Sequence, residues 1–219
     1  MVKVDLHTHS VASPDGAITA AHYEQMLKDE VLDAIAITDH NRIDFAQELQ
    51  AKLGDRIIVG EEITTLDGEI IGLYLKTVIP EGLTAEETVH EIKKQGGIVY
   101  VPHPFETVRK GVSRITLDKI AKDVHIIETH NGRAVFQNRT VAAEKWAEAH
   151  DKPGAASSDA HGLHGWGKTF SELHELPKRS TLPSLLRHAH LHVSLPTVRA
   201  ILYPKVNRLR KKAGGAYDA

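Results

Sequence analysis

The chain has 219 residues, a formal net charge of −2 at pH 7, 41% hydrophobic residues and 26% charged ones. That is the profile of an ordinary globular domain that buries its own core, and it creates no overall field to attract nucleic acid or an anionic membrane. With no cysteine, disulfide frameworks, thiolate zinc sites, iron–sulfur clusters and a cysteine nucleophile are excluded.

From the N-terminus, residues 1–5 carry Lys3 and Asp5 and no apolar signal region. No stretch approaches the roughly 20 apolar residues of a membrane span. The expectation is a soluble, cytoplasmic protein. Short β-branched runs then recur at residues 2–6, 34–37, 57–59, 70–75, 98–101, 124–127 and 155–157. Amphipathic stretches separate them, at 19–30, 42–53, 84–95, 116–121 and 135–150. Thr84 with Glu87 forms a capping-box pattern, and Gly96-Gly97 supplies the stop. The third and fourth strands are joined through Asp67-Gly68. Alternation of this kind predicts an α/β fold with parallel strands and right-handed crossovers. An eight-fold barrel uses about 250 residues, so a seven-stranded β/α barrel over residues 1–195 is the better fit. After Pro196 the chain turns basic, with Arg199, Lys205, Arg208, Arg210, Lys211 and Lys212. This extension, 196–219, reads as a solvated helix face or loose tail rather than a nucleic-acid contact.

The 15 histidines outnumber phenylalanine (4), tyrosine (5) and tryptophan (2) together. His7 and His9 follow the first strand, and at spacing two both rings project to one side. Alone, that pair fits two surface histidines equally well. Asp39 and His40 end the second strand, and Glu61 and Glu62 the third. His103 follows the fifth, Glu128 ends the sixth, and Asp159 and His161 follow the seventh. Carboxyl ends of parallel barrel strands share one face, so these groups converge. Glu69 starts its strand, and reaches the same face if that strand runs opposite to its neighbours. So many coincidences argue against chance, and a cluster of carboxylates needs bound cations to be tolerable. Asp39 is equally suited to orienting an imidazole or capping the helix from Arg42. Glu61 faces away from Glu62 by strand alternation. His188-x-His190-x-His192 straddles a predicted helix end and is assigned no chemistry.

Asp5-Leu6-His7-Thr8-His9-Ser10, Thr38-Asp39-His40-Asn41, Gly60-Glu61-Glu62-Ile63, Pro102-His103-Pro104 and Ser158-Asp159-Ala160-His161 resemble, in order, the motifs of the PHP (polymerase and histidinol phosphatase) family. The resemblance covers residues 1 to about 165. It implies a distorted seven-stranded barrel holding two or three divalent ions, with zinc, manganese and iron as the candidates. It carries over His7, His9, Glu62 and Asp159 as ligands of one ion. Asp15, His40 and His161 surround another, with Asp15 and His161 also assigned the catalytic role. His103, with Glu62 bridging and with Glu128 and Glu69, holds the remaining ion. Glu69 stands where many members have His, and Glu128 where others have His or Cys. Carboxylate for imidazole changes occupancy and preferred metal.

The implied activity is phosphoester hydrolysis, with solvent activated between ions and in-line attack on phosphorus. Arg133 is the first candidate anchor for the substrate phosphate, against a plain surface charge at a helix start. His130, His164 and Lys168 are further candidates. The expected partner is a small phosphorylated substrate, and the resemblance admits nucleoside monophosphates, 3′,5′-bisphosphorylated nucleotides, short RNA ends and small metabolite phosphates. No membrane and no stable nucleic-acid complex is expected. Two rivals stand beside this reading: an amidohydrolase-like barrel cleaving C–N bonds, and a non-catalytic metal-binding regulatory module. The first often needs a metal-bridging lysine at a strand end, and the only fourth-strand lysine, Lys76, lies past the apolar run. The second should have lost ligands, and nearly all positions here hold competent ones.

Overall fold

The computed structural model describes residues 1–135 and 138–214. Among the described residues there are nine strands: β1 (Val2–Thr8), β2 (Ala34–Ile37), β3 (Ile57–Thr65), β4 (Gly68–Leu73), β5 (Ile98–Val101), β6 (Ile126–Asn131), β7 (Gly154–Ser157), β8 (Phe170–Leu173) and β9 (His190–His192). The helices are α1 (Ala20–Lys28), α2 (Asp44–Leu53), α3 (Ala85–Lys94), α4 (Arg114–Ile120), α5 (Thr140–Ala149), α6 (Leu182–Leu186) and α7 (Val198–Lys212). All strands join one nearly closed sheet in the order β7-β6-β5-β4-β3-β2-β1-β8-β9. The expected count of seven is therefore too low. β8 and β9 are short and polar, so they lack the β-branched runs that reveal the other strands.

β1, β2 and β3 run parallel, as do β5, β6 and β7, whereas β4 is antiparallel to both neighbours. Glu69, at the start of β4, thus reaches the end of the sheet where β3 and β5 finish. One apolar layer, including Val4, Leu6, Ala36, Ile58 and Ile126, fills the interior. A second, including Ile35, Ile37, Val59, Val99 and Ile127, packs on the helices. Both faces are buried, which explains the continuous apolar runs in place of alternation.

The seam lies between β1 and β7. At one end His9 N donates to Ala160 O at 2.8 Å, and Ser158 N donates to Asp5 Oδ1 at 3.0 Å. At the other, β8 pairs with Val2, Lys3 and Val4, and the Ser171 hydroxyl accepts from Ala156 N (3.0 Å) while donating to Ala156 O (3.1 Å).

The basic segment through residue 214 is a docked helix rather than a loose tail, with Arg199, Lys205, Arg208, Arg210 and Lys212 on its exposed face, as a solvated helix face would have them. Thr197 caps α7 by accepting from Ala200 N. Ala200, Pro204 and Asn207 form its buried stripe. Tyr203 lies so close to Gly162 that a Cβ there would stand 2.5 Å from its ring. Residues 215–219 of that extension lie outside the described residues, as do 136 and 137 of the expected helix at 135–150. The histidine run after α6 is also not a helix end, because His190 and His192 belong to β9. No helix of the described residues is long and apolar enough to cross a membrane.

Ser171→Ala removes the side-chain bridge across the seam and strands a buried Ala156 N–H. It should cost about 1–3 kcal/mol in denaturant unfolding. A change within error would show that the seam holds without it.

Candidate metal centre

Two irregularities aim the site. Between Asp5 and Thr8, β1 advances three residues while β2 advances from Ile35 to Ile37. This bulge leaves Thr8 on the outer layer, bonded to Tyr23 Oη at 3.0 Å, and turns His7 and His9 inward. A similar shift between Glu128 and His130 in β6 puts Glu128 and Asn131 on the same side, 2.8 Å apart. His130 then points outward, 3.6 Å from Glu144 on α5.

The loop after β1 is tight enough that a Cβ on Gly16 would meet Ser10 O at 2.1 Å. Within it, the Ser13 hydroxyl donates to Asp15 Oδ1 at 2.9 Å. Asp39 braces this loop, accepting from Ser10 N (2.6 Å) and Ser10 Oγ (2.5 Å). It neither caps α2, which begins at Asp44 without a side-chain cap, nor hydrogen-bonds an imidazole. Glu61 faces away from Glu62 as expected and accepts from Ile79 N at 2.9 Å. His103 (φ 28°) and Asp159 (φ 52°) occupy the left-handed region, a cost that cooperating contacts must hold in place.

Nitrogen and oxygen atoms converge at the end of the barrel. Glu62 Oε2 lies 3.4 Å from His7 Nε2, 3.2 Å from His9 Nε2 and 3.4 Å from His40 Nδ1. Glu62 Oε1 lies 3.1 Å from His103 Nε2. His7 Nε2 and His9 Nε2 stand 3.1 Å apart, and both are 3.6 Å from Asp159 Oδ1. Three overlapping donor sets result: His7, His9 and Asp159; His7, Glu62 and His103; and His9, Asp15, His40 and His161. The residues shared between sets are His7 and His9, whereas the expectation had Glu62 shared; here Glu62 groups with His7 and His103, although its Oε2 also lies near His9 and His40. Glu69 sits at the margin, 4.0 Å from His40 and 3.9 Å from His103.

Glu128 is placed differently from the expected ligand. Its Oε1 faces His7 Nδ1 at 3.1 Å and accepts from Tyr100 Oη at 2.9 Å. Its Oε2 accepts from His103 N (2.7 Å) and Asn131 Nδ2 (2.8 Å). It stands behind His7 with both oxygens engaged, where it fixes the ring so that Nε2 presents to the cluster.

The donor chemistry fits divalent cations. Two imidazole nitrogens facing each other cannot both carry the proton of a mutual hydrogen bond. Burial drives the Glu62 carboxyl up, yet His7 and His40 outweigh it and hold the group well below the usual range. Burial depresses His40, and Glu62 and Asp15 reverse this, raising it to about 9. Glu69 is pushed up to about 7 by burial and by Glu62. His161 is lowered to about 4 by burial, His9 and Arg133, so it is neutral at pH 7 with a lone pair to give.

A cavity of about 420 Å³ opens over these donors. Arg133 lines it, with Nη1 3.2 Å from Asp159 Oδ1 and 3.3 Å from His161 Nδ1. It is largely buried rather than a surface charge. The other three expected anchors are not there. His130 points to α5, His164 lies in a side recess against Tyr203, and Lys168 is exposed. Instead, cations missed in the sequence line the cavity. Arg109 donates to Asp159 Oδ2 at 2.8 Å and to Glu106 through its fork. Arg208 of α7 donates to Asp15 Oδ2 at 2.7 Å, and Lys110, Lys205 and Lys212 complete the wall. For Lys205, Arg208 and Lys212 the one sequence signal was the basic run; Arg109 and Lys110 lie outside it.

Residues 5–164 match the family model for the PHP domain. Two uncharacterized proteins of Methanocaldococcus jannaschii are each 33% identical to the chain. One alignment covers 150 residues (63% of this chain, 88% of that protein) and the other 180 residues (80% and 72%). Among solved structures, a two-domain Bacteroides vulgatus protein, described as containing a predicted PHP-like metal-dependent phosphoesterase, aligns with TM-score 0.69 and 21% identity over 87% of this chain. The chain spans 65% of that protein's length. An amidohydrolase from Chromobacterium violaceum, with bound sulfate and no metal, aligns with TM-score 0.60 and 16% identity, covering 86% of this chain and 97% of that one. At these identities the two structures bear on the fold alone.

Glu128→Gln should weaken metal binding roughly 10–100-fold without abolishing it, as equilibrium dialysis would read; complete loss would return Glu128 to the ligand set. His40 and Glu69 must shed protons before they bind a cation. Mn²⁺ added to metal-free protein at pH 7 should therefore release protons, and its affinity should rise with pH until His40, raised to about 9, has lost its proton above that pH. Calorimetry in buffers of different ionisation enthalpy measures this, and a proton count of zero would contradict it.

Proposed function

The chain belongs to the PHP domain family, and from that membership and its own cavity we propose that it is a metal-dependent phosphoesterase acting on a small phosphorylated substrate. Divalent ions, when bound, supply Lewis acidity and lower the pKa of a coordinated water. His7, His9, Asp159, Glu62, His103, Asp15, His40 and His161 would hold them. The observation that carries the reading is the meeting of these donors with two guanidinium groups on one carboxylate, Asp159. Arginine forks match phosphoryl oxygens in two-pronged geometry. Arg133, which lines the cavity over the donors, offers its guanidinium to a phosphoryl group, while Arg109, with its fork on Glu106 and Nη1 on Asn131 and Asp159, adds positive charge beside it. Glu106, bonded to Arg109 at 2.6 and 2.9 Å, fixes the orientation of that fork. The positive wall from α7 favours substrates with further negative charge, such as nucleotides.

An amidohydrolase reading has less support. The lysines lining the cavity among the described residues are Lys110, Lys205 and Lys212, none of them on a strand, and Lys76 is exposed elsewhere. A non-catalytic module is disfavoured by an intact donor cluster.

Phosphate release from nucleotides and other phosphomonoesters, beside phosphodiesters and cyclic amides, with Mn²⁺, Zn²⁺ or Fe²⁺, tests the proposal. Metal-dependent phosphoester turnover is expected, abolished in His9→Ala and Asp159→Ala. Arg133→Ala should lower kcat by about 10²–10³, while His130→Ala leaves it unchanged. Hydrolysis of cyclic amides alone, or an inert metal-replete protein, would overturn the assignment.

A further inference from the structure

Away from the barrel mouth, the β8–β9 hairpin carries a second group of ligating atoms. Its register pairs Glu172 with His190 and Phe170 with His192. Residues two apart on a strand share a face, so Glu172, His190 and His192 lie together. His192 Nε2 is 3.0 Å from Glu172 Oε2 and 3.0 Å from His190 Nδ1. A single N–H on His192 can point at only one of these acceptors. The His192 ring stacks on Phe170, with centroids 4.5 Å apart and planes 17° apart, which fixes the direction of its nitrogen. Lys3 is the cross-strand neighbour of Glu172, but its ammonium donates to Glu30 O. The carboxylate thus faces mainly the two imidazoles, with the N-terminal ammonium a lesser neighbour.

We propose that Glu172, His190 and His192 form a peripheral binding site for a zinc-class divalent ion, separate from the central cluster. Three donors bound to one ion at about 2.0–2.2 Å stand roughly 3–3.5 Å apart, as tetrahedral geometry requires; both spacings from His192 are 3.0 Å, and all three ligand atoms lie within 4.8 Å of one another. Two imidazoles and one carboxylate, without thiolate, suit zinc and its borderline neighbours rather than magnesium or calcium. The group is half-exposed, which leaves room for water in the remaining coordination positions. β9 is an edge strand, and five residues after it Thr197 caps α7, the helix that walls the cavity. An ion here clips that strand to the sheet and holds the base of α7.

The test is calorimetric titration of Zn²⁺ into full-length protein whose central cluster is already loaded. Wild type should bind one additional ion and gain thermal stability with it. His190→Ala should lose that event. Glu172→Gln, which preserves shape and the Phe170 stack, should weaken it by more than the roughly 10–100-fold that removing an orienting partner typically costs. The readout is binding rather than turnover, so it stands or falls separately from the phosphoesterase assignment. No additional ion in wild type, or an unchanged isotherm in either variant, would overturn the site.

Discussion

One carboxylate governs the centre of this molecule. Glu62 Oε2 is approached by three imidazole nitrogens, and Glu62 Oε1 by a fourth. All five side chains are buried or nearly so at the mouth of a nearly closed barrel, where water screens them poorly. Burying so many ionisable groups together is unfavourable unless positive charge is shared among them. Protons can do this in part, which is why His40 is driven up while Glu62 is held down. Divalent cations do it better, since each satisfies several lone pairs at once. The need for bound ions therefore follows from the packing, independently of any reaction.

The rest of the architecture serves that convergence. The bulge in β1 turns two histidines inward, the shift in β6 sets Glu128 behind one of them, and antiparallel β4 brings Glu69 to the rim. The seam between β1 and β7 is held by Asp5 and Ser171 rather than by a full ladder. Over the opening, α7 supplies positive charge through Lys205, Arg208 and Lys212 and anchors Asn207 to the carbonyls of Asp15 and His161. Cations at the mouth and carboxylates at the floor give the cavity a polarised field, which under the proposed function would orient an anionic substrate on entry.

Much of this was legible in the sequence because strand ends are easy to read. His7, His9, His40, Glu62 and His103 each follow a β-branched run, Asp159 and His161 follow the small-residue run Ala155-Ala156-Ser157, and parallel strands bring such positions together. What stayed hidden depends on features without a periodic signal. A bulge changes which way a residue faces without changing composition, so His130 looked like an anchor and Glu128 like a ligand. Arg109 sits in an irregular loop, and its contact with Asp159 spans 50 positions of chain. The polar residues 190–192 resembled a frayed helix end, because a three-residue edge strand has too few positions to show alternation. The docking of α7 rests on Gly162 making space for Tyr203, a complementarity visible only in three dimensions.

Crystals of the protein grown with Mn²⁺ or Zn²⁺, measured for anomalous scattering at the metal edge, test the central claim most directly. Two or three peaks are expected at the barrel mouth, with a Glu62 oxygen bridging at least one pair. A well-ordered structure with the same side chains in place and no anomalous peak among them, at saturating metal, would contradict it.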